Sequence, residues 1–289
     1  MSQLNIRPRR SALYVPGANA RALEKARTLD ADVVIIDLED AVADSQKAIA
    51  REQVLKALKT RYKAETVVRV NDPTTPEGAA DMKAIARSGC DAVLLPKVET
   101  PREVRDSHLR LAAAGAPANL ALWAMVETPL AVLHVEEIAF SSPHLKCLVM
   151  GTSDLAKDLR ARHTPQRLPF LTLLSLCVLA ARAAGLIILD GVHLDLDDEQ
   201  GFLESCRQGS ELGFDGKTLL HPKTIAGANA AFGPTAEEVA WAKKITAAHA
   251  DAVRQGKGVR VVDGKVIESL HVEGAEHTLA LAEAIAARR

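Results

Sequence analysis

Residues 120–127 read LALWAMVE, an apolar run that ends in a glutamate and is followed by a proline at position 129. A continuous apolar run of this length is typical of a strand that is covered on both faces, as in parallel sheets. Ala- and Leu-rich helical segments separate it from seven further candidate strands, which predicts parallel strands in βα units. Those seven are SALYV (11–15), DVVIIDL (32–38), TVVRV (66–70), AVLLPK (92–97), KCLVMG (146–151), GLIILD (185–190) and FDGKTL (214–219).

Eight such units predict an α/β fold, a closed (β/α)8 TIM barrel formed by residues 1–234. A doubly wound open sheet is the alternative, but no GxGxxG sequence follows the first strand to support it. The remaining residues, 235–289, hold one helical segment, a glycine-flanked segment and a final Ala-rich helix. We interpret this part as a C-terminal helical arm that acts as an extension or lid.

The composition of the 289-residue chain excludes several classes of protein. Nearly half of its residues (48%) are hydrophobic but only 3% are aromatic, which predicts a large aliphatic core. The net charge of −1 argues against a protein that binds nucleic acid or a membrane surface. Four scattered cysteines without CxxC spacing, and the absence of a signal-peptide pattern, predict a cytoplasmic protein with reduced thiols.

Charged and polar residues follow nearly every candidate strand. The active site of a TIM barrel lies at the C-terminal ends of its strands, so these residues predict a functional rim. The alternative is an ordinary set of solvated loop starts. The rim residues are Tyr14, Pro16, Gly17, Asp37, Glu39, Asp40, Arg69, Asn71, Asp72, Lys97, Glu99, Glu127, Ser153, Asp154, Asp190 and His221.

Glu127 and Asp154 follow consecutive candidate strands, so their carboxylates could converge at the mouth of the barrel. Two oxygen ligands, with positions left open for water and substrate, are typical of a Mg²⁺ site. No His or Cys cluster offers a zinc alternative, because His193 and His221 lie in different βα units. A purely structural role for Glu127 is equally compatible with this pattern: it could cap a helix or pair with Lys97.

Arg69 lies at the end of the third candidate strand, and the acidic sequence DLED (37–40) lies at the end of the second. It could simply neutralise the carboxylates, or it could bind a substrate carboxylate and stabilise a developing oxyanion. We expect Asp37, Glu39 and Asp40 to hydrogen-bond to metal-bound waters or to Arg69, and thereby to orient the groups that touch the metal.

At these residues the sequence resembles the citrate lyase β-subunit-like family within the HpcH/HpaI aldolase superfamily. The resemblance covers nearly the whole predicted barrel and follows the order of the family motifs. It implies a Mg²⁺-dependent (β/α)8 enzyme that makes or breaks a carbon–carbon bond next to an acyl thioester. The matching motifs are RSALYVPGAN, DVVIIDLEDAV, VVRVND, VLLPKVE, WAMVETP, MGTSDLAKDL, DGVHLDLDDEQGF and GFDGKTLLHPKTI.

The resemblance also implies roles for individual residues. Glu127 and Asp154 would ligate Mg²⁺, and Arg69 would contact the substrate at the reacting centre. Backbone N–H groups of the loop Gly151–Thr152–Ser153 would bind the carboxylate of a 2-oxo acid. The first βα segment would receive coenzyme A; the residues implied there are Arg10, Arg21 and Lys25, although solvated surface charge is the alternative for the last two.

Family members that carry a C-terminal arm usually place an Asp in a neighbouring subunit's active site, which implies a homotrimer or a dimer of trimers. Here the corresponding stretch is GKVIES (264–269), and Glu268 takes that position. A glutamate can perform the same proton transfer, but its extra methylene moves the carboxylate by about 1 Å or more, which can cost on the order of 100-fold in rate. We therefore predict Glu268 as an acid/base that acts in trans.

The predicted activity is carbon–carbon cleavage of malyl-CoA or citramalyl-CoA into an acyl-CoA and a 2-oxo acid, or the reverse reaction. Three alternatives remain open at this point. The chain could act on citryl thioesters as a citrate lyase β subunit does, or hydrolyse the thioester in a malate synthase-like reaction. It could also be a non-catalytic acyl-CoA-binding protein.

Overall fold

The computed structural model of the protein describes residues 6–254 and 260–288. These residues form two compact units. One unit is Arg9–Phe232, and the other consists of the described residues from Gly233 onward together with those before Arg9. No helix in the described ranges is both long and apolar enough to cross a membrane.

Eight parallel strands close into a barrel in the order in which they occur along the chain, which confirms the predicted (β/α)8 fold. Closure is made by the first and last strands, where Ser11 pairs with Lys217. The strands are β1 (Ser11–Pro16), β2 (Val33–Asp37), β3 (Glu65–Arg69), β4 (Ala92–Leu95), β5 (Ala121–Val126), β6 (Leu145–Met150), β7 (Ile187–Asp190) and β8 (Gly216–Leu219).

Helices follow the strands and cover the outside of the barrel. The helices of this unit are α1 (Ala20–Ala26), α2 (Lys47–Leu58), α3 (Pro76–Ile85), α4 (Pro101–Ala113), α5 (Pro129–Leu133), α6 (Val135–Ala139), α7 (Thr152–Asp158), α8 (Leu171–Ala183), α9 (Glu199–Leu212) and α10 (Ile225–Ala231). Helices α3, α4 and α5 each begin with a Thr-Pro pair whose threonine hydroxyl accepts a backbone N–H from the first turn. This capping, with proline at the first helical position, sets where each loop ends.

Side chains alternate between the two faces of each strand and so form two aliphatic cores. The residues that face inward fill the barrel, with Trp123 as the largest of them, and those that face outward pack under the helices. At the amino end of the barrel, Arg9 closes the interior: its Nε and Nη2 atoms donate to Glu65 at 2.7 and 2.8 Å. The opposite, carboxyl end is left for the polar residues that follow the strands.

The second unit contains α11 (Ala236–Arg254), an antiparallel hairpin of β9 (Arg260–Val262) and β10 (Lys265–Ile267), and α12 (Ser269–Ala286). Its own small core is aliphatic and includes Ile245, Val262 and Ile267. Glu268 comes directly before α12. Its carboxylate is exposed on this unit, and its backbone N–H donates to Nδ1 of His271 at 3.1 Å.

Candidate active site

The carboxyl ends of the strands surround a cavity of about 280 Å³. Inward-facing positions of the strand ends carry carboxylates and a guanidinium into it, and apolar side chains from the later loops complete its wall. The lining residues are Tyr14, Asp37, Asp40, Ala41, Arg69, Met125, Glu127, Met150, Gly151, Thr152, Ser153, Asp154, Val192, Leu194, Thr218 and Leu220.

Arg69 is the buried cation of this cavity. Its Nε and Nη2 atoms donate to the two carboxylate oxygens of Asp37 at 2.7 and 2.6 Å. Its Nη1 atom lies 3.0 Å from Glu39 and 3.3 Å from Asp40. The guanidinium also lies over the ring of Tyr14, 4.9 Å from its centroid. Both carboxylate oxygens of Asp37 are used by Arg69, which fixes the plane of the guanidinium.

Burial and neighbouring charges together determine the protonation states of Arg69 and Glu39. Burial alone would lower the pKa of Arg69, but its hydrogen bonds to Asp37 and nearby negative charge raise it overall. Burial raises the pKa of Glu39 to about 7; Arg69 opposes this shift, and the neighbouring Asp40 adds to it. Arg69 therefore stays charged, while Glu39 lies near the midpoint of its titration at neutral pH.

Glu127 is 2% exposed, and its Oε1 atom accepts the backbone N–H of Lys97 at 2.8 Å. Glu127 thus contacts Lys97 through a hydrogen bond from the backbone N–H, not through the ion pair with its ammonium that the sequence left open. Thr128, not Glu127, caps the following helix. Burial raises the pKa of Glu127 to about 7; the Lys97 N–H and Arg69 oppose the rise, and Asp154 adds to it.

Asp154 lies in the first turn of α7, half-buried, and lines the same cavity as Glu127. Within residues 6–254 and 260–288, no group of three or more His, Cys, Asp or Glu side chains could hold a metal ion. Mg²⁺ commonly takes one or two protein carboxylates and completes its shell with water and substrate oxygens. The donor chemistry of Glu127 and Asp154, two oxygen ligands beside an open cavity, fits that ion.

The turn after β6 is packed tightly against Glu127. A Cβ atom on Gly151 would lie 2.3 Å from Cβ and 2.5 Å from Oε2 of Glu127, so only glycine fits there. The N–H of Gly151 donates to the carbonyl of Val126 at 3.0 Å. Of the three residues predicted to bind a carboxylate through the backbone, Thr152 and Ser153 therefore remain as the donors to be considered.

The family model for HpcH/HpaI aldolase/citrate lyase matches residues 10–222, which include all eight strands of the barrel. The chain belongs to this family. This match confirms the predicted family and the prediction that the protein is an enzyme.

Among the family's members, the chain is 49% identical to a (3S)-malyl-CoA thioesterase of Cereibacter sphaeroides, over 98% of this chain and 97% of the relative. It is 36% identical to the citrate lyase β subunit of Escherichia coli, over 98% and 96% of the two chains. A solved structure of CitE from Mycobacterium tuberculosis in complex with magnesium, acetoacetate and coenzyme A is 31% identical, with a TM-score of 0.77, and the match covers 97% of this chain and all of that one.

The expectation that Arg10 contacts coenzyme A in this family member needs correction. Arg10 precedes β1 and therefore lies at the amino end of the barrel, whereas the cavity lies at the carboxyl end. Its guanidinium is buried and bonds to both carboxylate oxygens of Asp32, at 2.8 and 3.0 Å. Arg21 and Lys25 are exposed on α1, which follows the carboxyl end of β1.

Asp190, predicted for the rim, faces outward into the layer between the barrel wall and the helices. There it accepts hydrogen bonds from Arg167 and from Lys217, each at 2.7 Å. His221 caps a short 3-10 turn by accepting the N–H of Lys223. These two residues stabilise the fold, and the neighbouring inward positions Thr218 and Leu220 line the cavity instead.

The apolar part of the cavity wall was not predicted from the sequence. Met125 and Thr218 are each the next-to-last residue of their strand, β5 and β8. The two-residue period of a strand could therefore have placed both side chains on the inward face. Val192 and Leu194 come from the loop after β7, whose path no periodic pattern predicts. Asn71, from the predicted rim, donates to Asp81 at 2.6 Å and so braces α3.

Proposed function

We propose that this protein is a Mg²⁺-dependent lyase that acts on 3-hydroxyacyl-CoA thioesters of the malyl-CoA or citramalyl-CoA class. The observation that carries the proposal is the joint presence of Glu127, Asp154 and the fixed guanidinium of Arg69 around one cavity. A cavity of about 280 Å³ suits a small organic acid, with the coenzyme extending beyond it.

Different side chains of the cavity would bind the metal ion and the substrate. Glu127 and Asp154 would hold the Mg²⁺ ion, in keeping with the solved structures of CitE and of the citrate lyase β subunit from Mycobacterium tuberculosis in complex with magnesium. When bound, the ion lowers the pKa of the substrate hydroxyl and orients it together with the adjacent carboxylate. Arg69 offsets negative charge that develops on the reacting oxygens, because Asp37 holds its guanidinium in one plane.

The bonds change as follows in the direction of cleavage. A base removes the proton of the C3 hydroxyl, the C2–C3 bond breaks, and its electron pair passes to C2. C3 becomes the carbonyl carbon of the 2-oxo acid, and the remaining fragment is the enolate of an acyl-CoA. A proton delivered to C2 completes the acyl-CoA, and a base at the same position serves the reverse reaction.

We propose Glu268 as the group that carries the proton to or from C2, supplied by a neighbouring subunit of a trimer or a dimer of trimers. Glu268→Gln should lose turnover while Glu273→Gln, an exposed glutamate of the same helix region, keeps it. Mixed oligomers of inactive Glu127→Gln and inactive Glu268→Gln chains should regain part of the activity. Full activity of Glu268→Gln alone, or a monomer on gel filtration, would remove this role.

Thioester hydrolysis is the second candidate, because the 49% identical relative is named a (3S)-malyl-CoA thioesterase. In that reaction water adds to the thioester carbonyl, the carbon–sulfur bond breaks, and the CoA thiolate leaves and takes up a proton. The same cavity would bind the malyl group, while the C2–C3 bond stays intact. Cleavage of a citryl thioester, the third possibility, has support from the 36% identical citrate lyase β subunit.

A single assay separates the malyl-CoA lyase from the malyl-CoA thioesterase. Purified protein, Mg²⁺ and malyl-CoA are mixed, glyoxylate is followed as its phenylhydrazone, and free CoA is followed with a thiol reagent. Glyoxylate without free CoA supports the lyase, and free CoA with malate supports the thioesterase. Binding of malyl-CoA without either product would refute both activities on this substrate. A citryl thioester in the same assay then decides between the third possibility and a non-catalytic acyl-CoA-binding protein.

Substrate choice is tested with a panel of thioesters in the same assay. One methyl group changes the transition-state free energy by only about 1–3 kcal/mol in an apolar pocket. We therefore expect malyl-CoA and citramalyl-CoA to differ by a moderate factor, set by apolar wall residues such as Met125 and Leu220.

A further inference from the structure

Lys97 follows β4 and has a left-handed backbone conformation, with φ of +47°. Residues other than glycine adopt this conformation at a cost in free energy, so it persists only where the surroundings impose it. The Lys97 side chain is exposed and so does not impose this backbone conformation, and the residue is not a glycine, which would adopt it freely. The explanation must lie in what the backbone of this residue does.

The N–H of Lys97 donates to Oε1 of Glu127 at 2.8 Å, from the end of one strand to the end of the next. β4 and β5 are paired neighbours, and Leu95 lies opposite Ala124. The bond therefore joins the ends of two adjacent strands beyond their last paired residues, at the wall of the cavity. Glu127 is 2% exposed, so this donor replaces water that the carboxylate has lost.

The chain on the far side of Lys97 is equally constrained. Val98 is buried, and the N–H groups of Glu99 and Thr100 both donate to Glu103 at the start of α4, at 2.7 and 2.8 Å. Between the fixed strand end and this fixed helix start, a left-handed residue lets the peptide before it face Glu127 while the chain turns back to the helix.

We infer that Lys97 is a positioning residue, whose left-handed backbone holds its N–H on Oε1 of Glu127 and so sets the orientation of that carboxylate toward the metal ion. The inference rests on the proposed role of Glu127 as a metal ligand. With Oε1 held, Oε2 lies beside Gly151, which lines the cavity. Loss of such an outer hydrogen bond to a metal ligand typically weakens metal binding by about 10- to 100-fold.

The backbone and the side chain of Lys97 have opposite expected effects on a cation. Burial lowers the pKa of Lys97, but the negative charges of Glu39, Asp154 and Glu127 raise it overall, which places its ammonium in the field of the acidic rim. Removing only that positive charge should therefore leave cation binding unchanged or slightly tighter. Removing the N–H should weaken it.

The test measures binding of Mn²⁺, as a probe for Mg²⁺, to the metal-free full-length protein by electron paramagnetic resonance, with the melting temperature of each variant. Lys97→Pro removes the N–H and imposes a negative φ, and it should bind Mn²⁺ about 10- to 100-fold more weakly than the wild type. Lys97→Gly keeps the N–H and favours a positive φ, so it should bind as the wild type does. Lys97→Ala should bind no more weakly.

Asp263→Val is the matched control, since Asp263 is also left-handed (φ +48°) but belongs to the C-terminal hairpin. It should change the melting temperature without changing Mn²⁺ affinity. If Lys97→Pro does not fold, Lys97→Val decides, because a β-branched residue resists the left-handed conformation. Wild-type affinity in a folded Lys97→Pro, or equal affinity of Lys97→Val and Lys97→Ala, would overturn the inference.

The role of Glu127 is judged separately. If the wild type does not bind Mn²⁺, or if Glu127→Gln binds it equally well, the proposed metal site fails whatever the Lys97 variants do. If Glu127→Gln loses binding and the Lys97 series shows no effect, only the positioning role fails.

Discussion

Asp37 and Arg69 lie directly opposite each other on neighbouring strands and form a bidentate ion pair, with N–O distances of 2.7 and 2.6 Å. The pair is buried, and it fixes the guanidinium of Arg69 at the wall of the cavity. The two residues are 32 positions apart in the sequence, and they come together because β2 and β3 pair with each other up to their carboxyl ends. The geometry of Arg69 thus depends on Asp37.

Asp37→Asn should lower kcat/KM by about 100-fold, because an amide cannot accept both guanidinium hydrogen bonds and a misplaced group of this kind has about that effect. Arg69→Lys should be equally damaging, because an ammonium lacks the planar fork. Steady-state kinetics measure both. Asp106→Asn, which alters an exposed pair with Arg102, is the control and should leave kcat/KM unchanged. Near-normal kinetics of Asp37→Asn would contradict the dependence.

Gly151→Ala should strongly reduce activity while the barrel still folds. Its new Cβ atom would lie within 2.5 Å of two atoms of Glu127, so the carboxylate must move. We expect a loss of about 100-fold or more in kcat/KM and weaker Mn²⁺ binding. Gly274→Ala, where a Cβ atom meets nothing within 4 Å, is the matched control and should be silent in both assays. An active Gly151→Ala would show that the position of Glu127 is not critical.

Removal of divalent metal with EDTA should stop turnover, and Mg²⁺ should restore it. The ion should also stabilise the fold, by about 2.7 kcal/mol at a concentration 100 times its dissociation constant. Thermal unfolding with and without Mg²⁺ measures this shift. Glu127→Gln and Asp154→Asn should show no such shift, and a wild-type protein indifferent to EDTA in both measurements would refute the metal site.

Asp190 should matter for stability more than for catalysis. It is fully buried between Arg167 and Lys217, so Asp190→Asn leaves two buried cations without their counter-ion. Breaking a buried pair in this way costs roughly 3–5 kcal/mol of unfolding free energy. Lys217→Met should cost less, since Arg167 still pairs with the carboxylate.

Urea unfolding gives the order of these two effects. Glu204→Gln, in an exposed pair with Arg207, is the control and should leave the midpoint of unfolding unchanged. A larger loss in Lys217→Met than in Asp190→Asn would contradict the argument from uncompensated charge.

The buried cysteines should make the fold sensitive to alkaline pH. Burial raises the pKa of Cys90 and Cys206 to about 11 and that of Cys177 to about 12. The thiols stay protonated in the folded chain while those of the unfolded chain ionise near pH 9, so their stabilising effect is complete below pH 9. It is lost as the pH rises toward the folded-state values.

Urea midpoints at pH 8, 9 and 10 should therefore fall with pH. A thiol reagent at pH 8 should label the native protein slowly and the urea-unfolded protein at once. Rapid labelling of the native protein would show that these thiols are accessible, contrary to their burial.

Much of the barrel follows from local sequence. Each strand is a short apolar run that can be buried on both faces, and Thr-Pro pairs mark three helix starts by capping chemistry. The position of Glu127 after such a run was likewise readable, as was the presence of acids near Arg69 at the strand ends. The strands, the helix starts and the place of Glu127 depend on residues that are neighbours in the chain, so sequence alone determines them. The acids at the end of β2 could be recognised as strand-end residues, but strand pairing brings them to Arg69.

Which of two polar residues at a strand end faces the cavity was decided only by tertiary structure. Asp190 and Glu127 both follow apolar runs, yet one faces the helices and the other the cavity, because a shift of one residue reverses the face. The hydrogen bonds of Arg10 to Asp32 and of Lys97 to Glu127 join residues of different strand ends, which the stagger of the closed barrel brings together. Barrel closure fixes the register of all eight strands at once, and no single stretch of sequence contains that information.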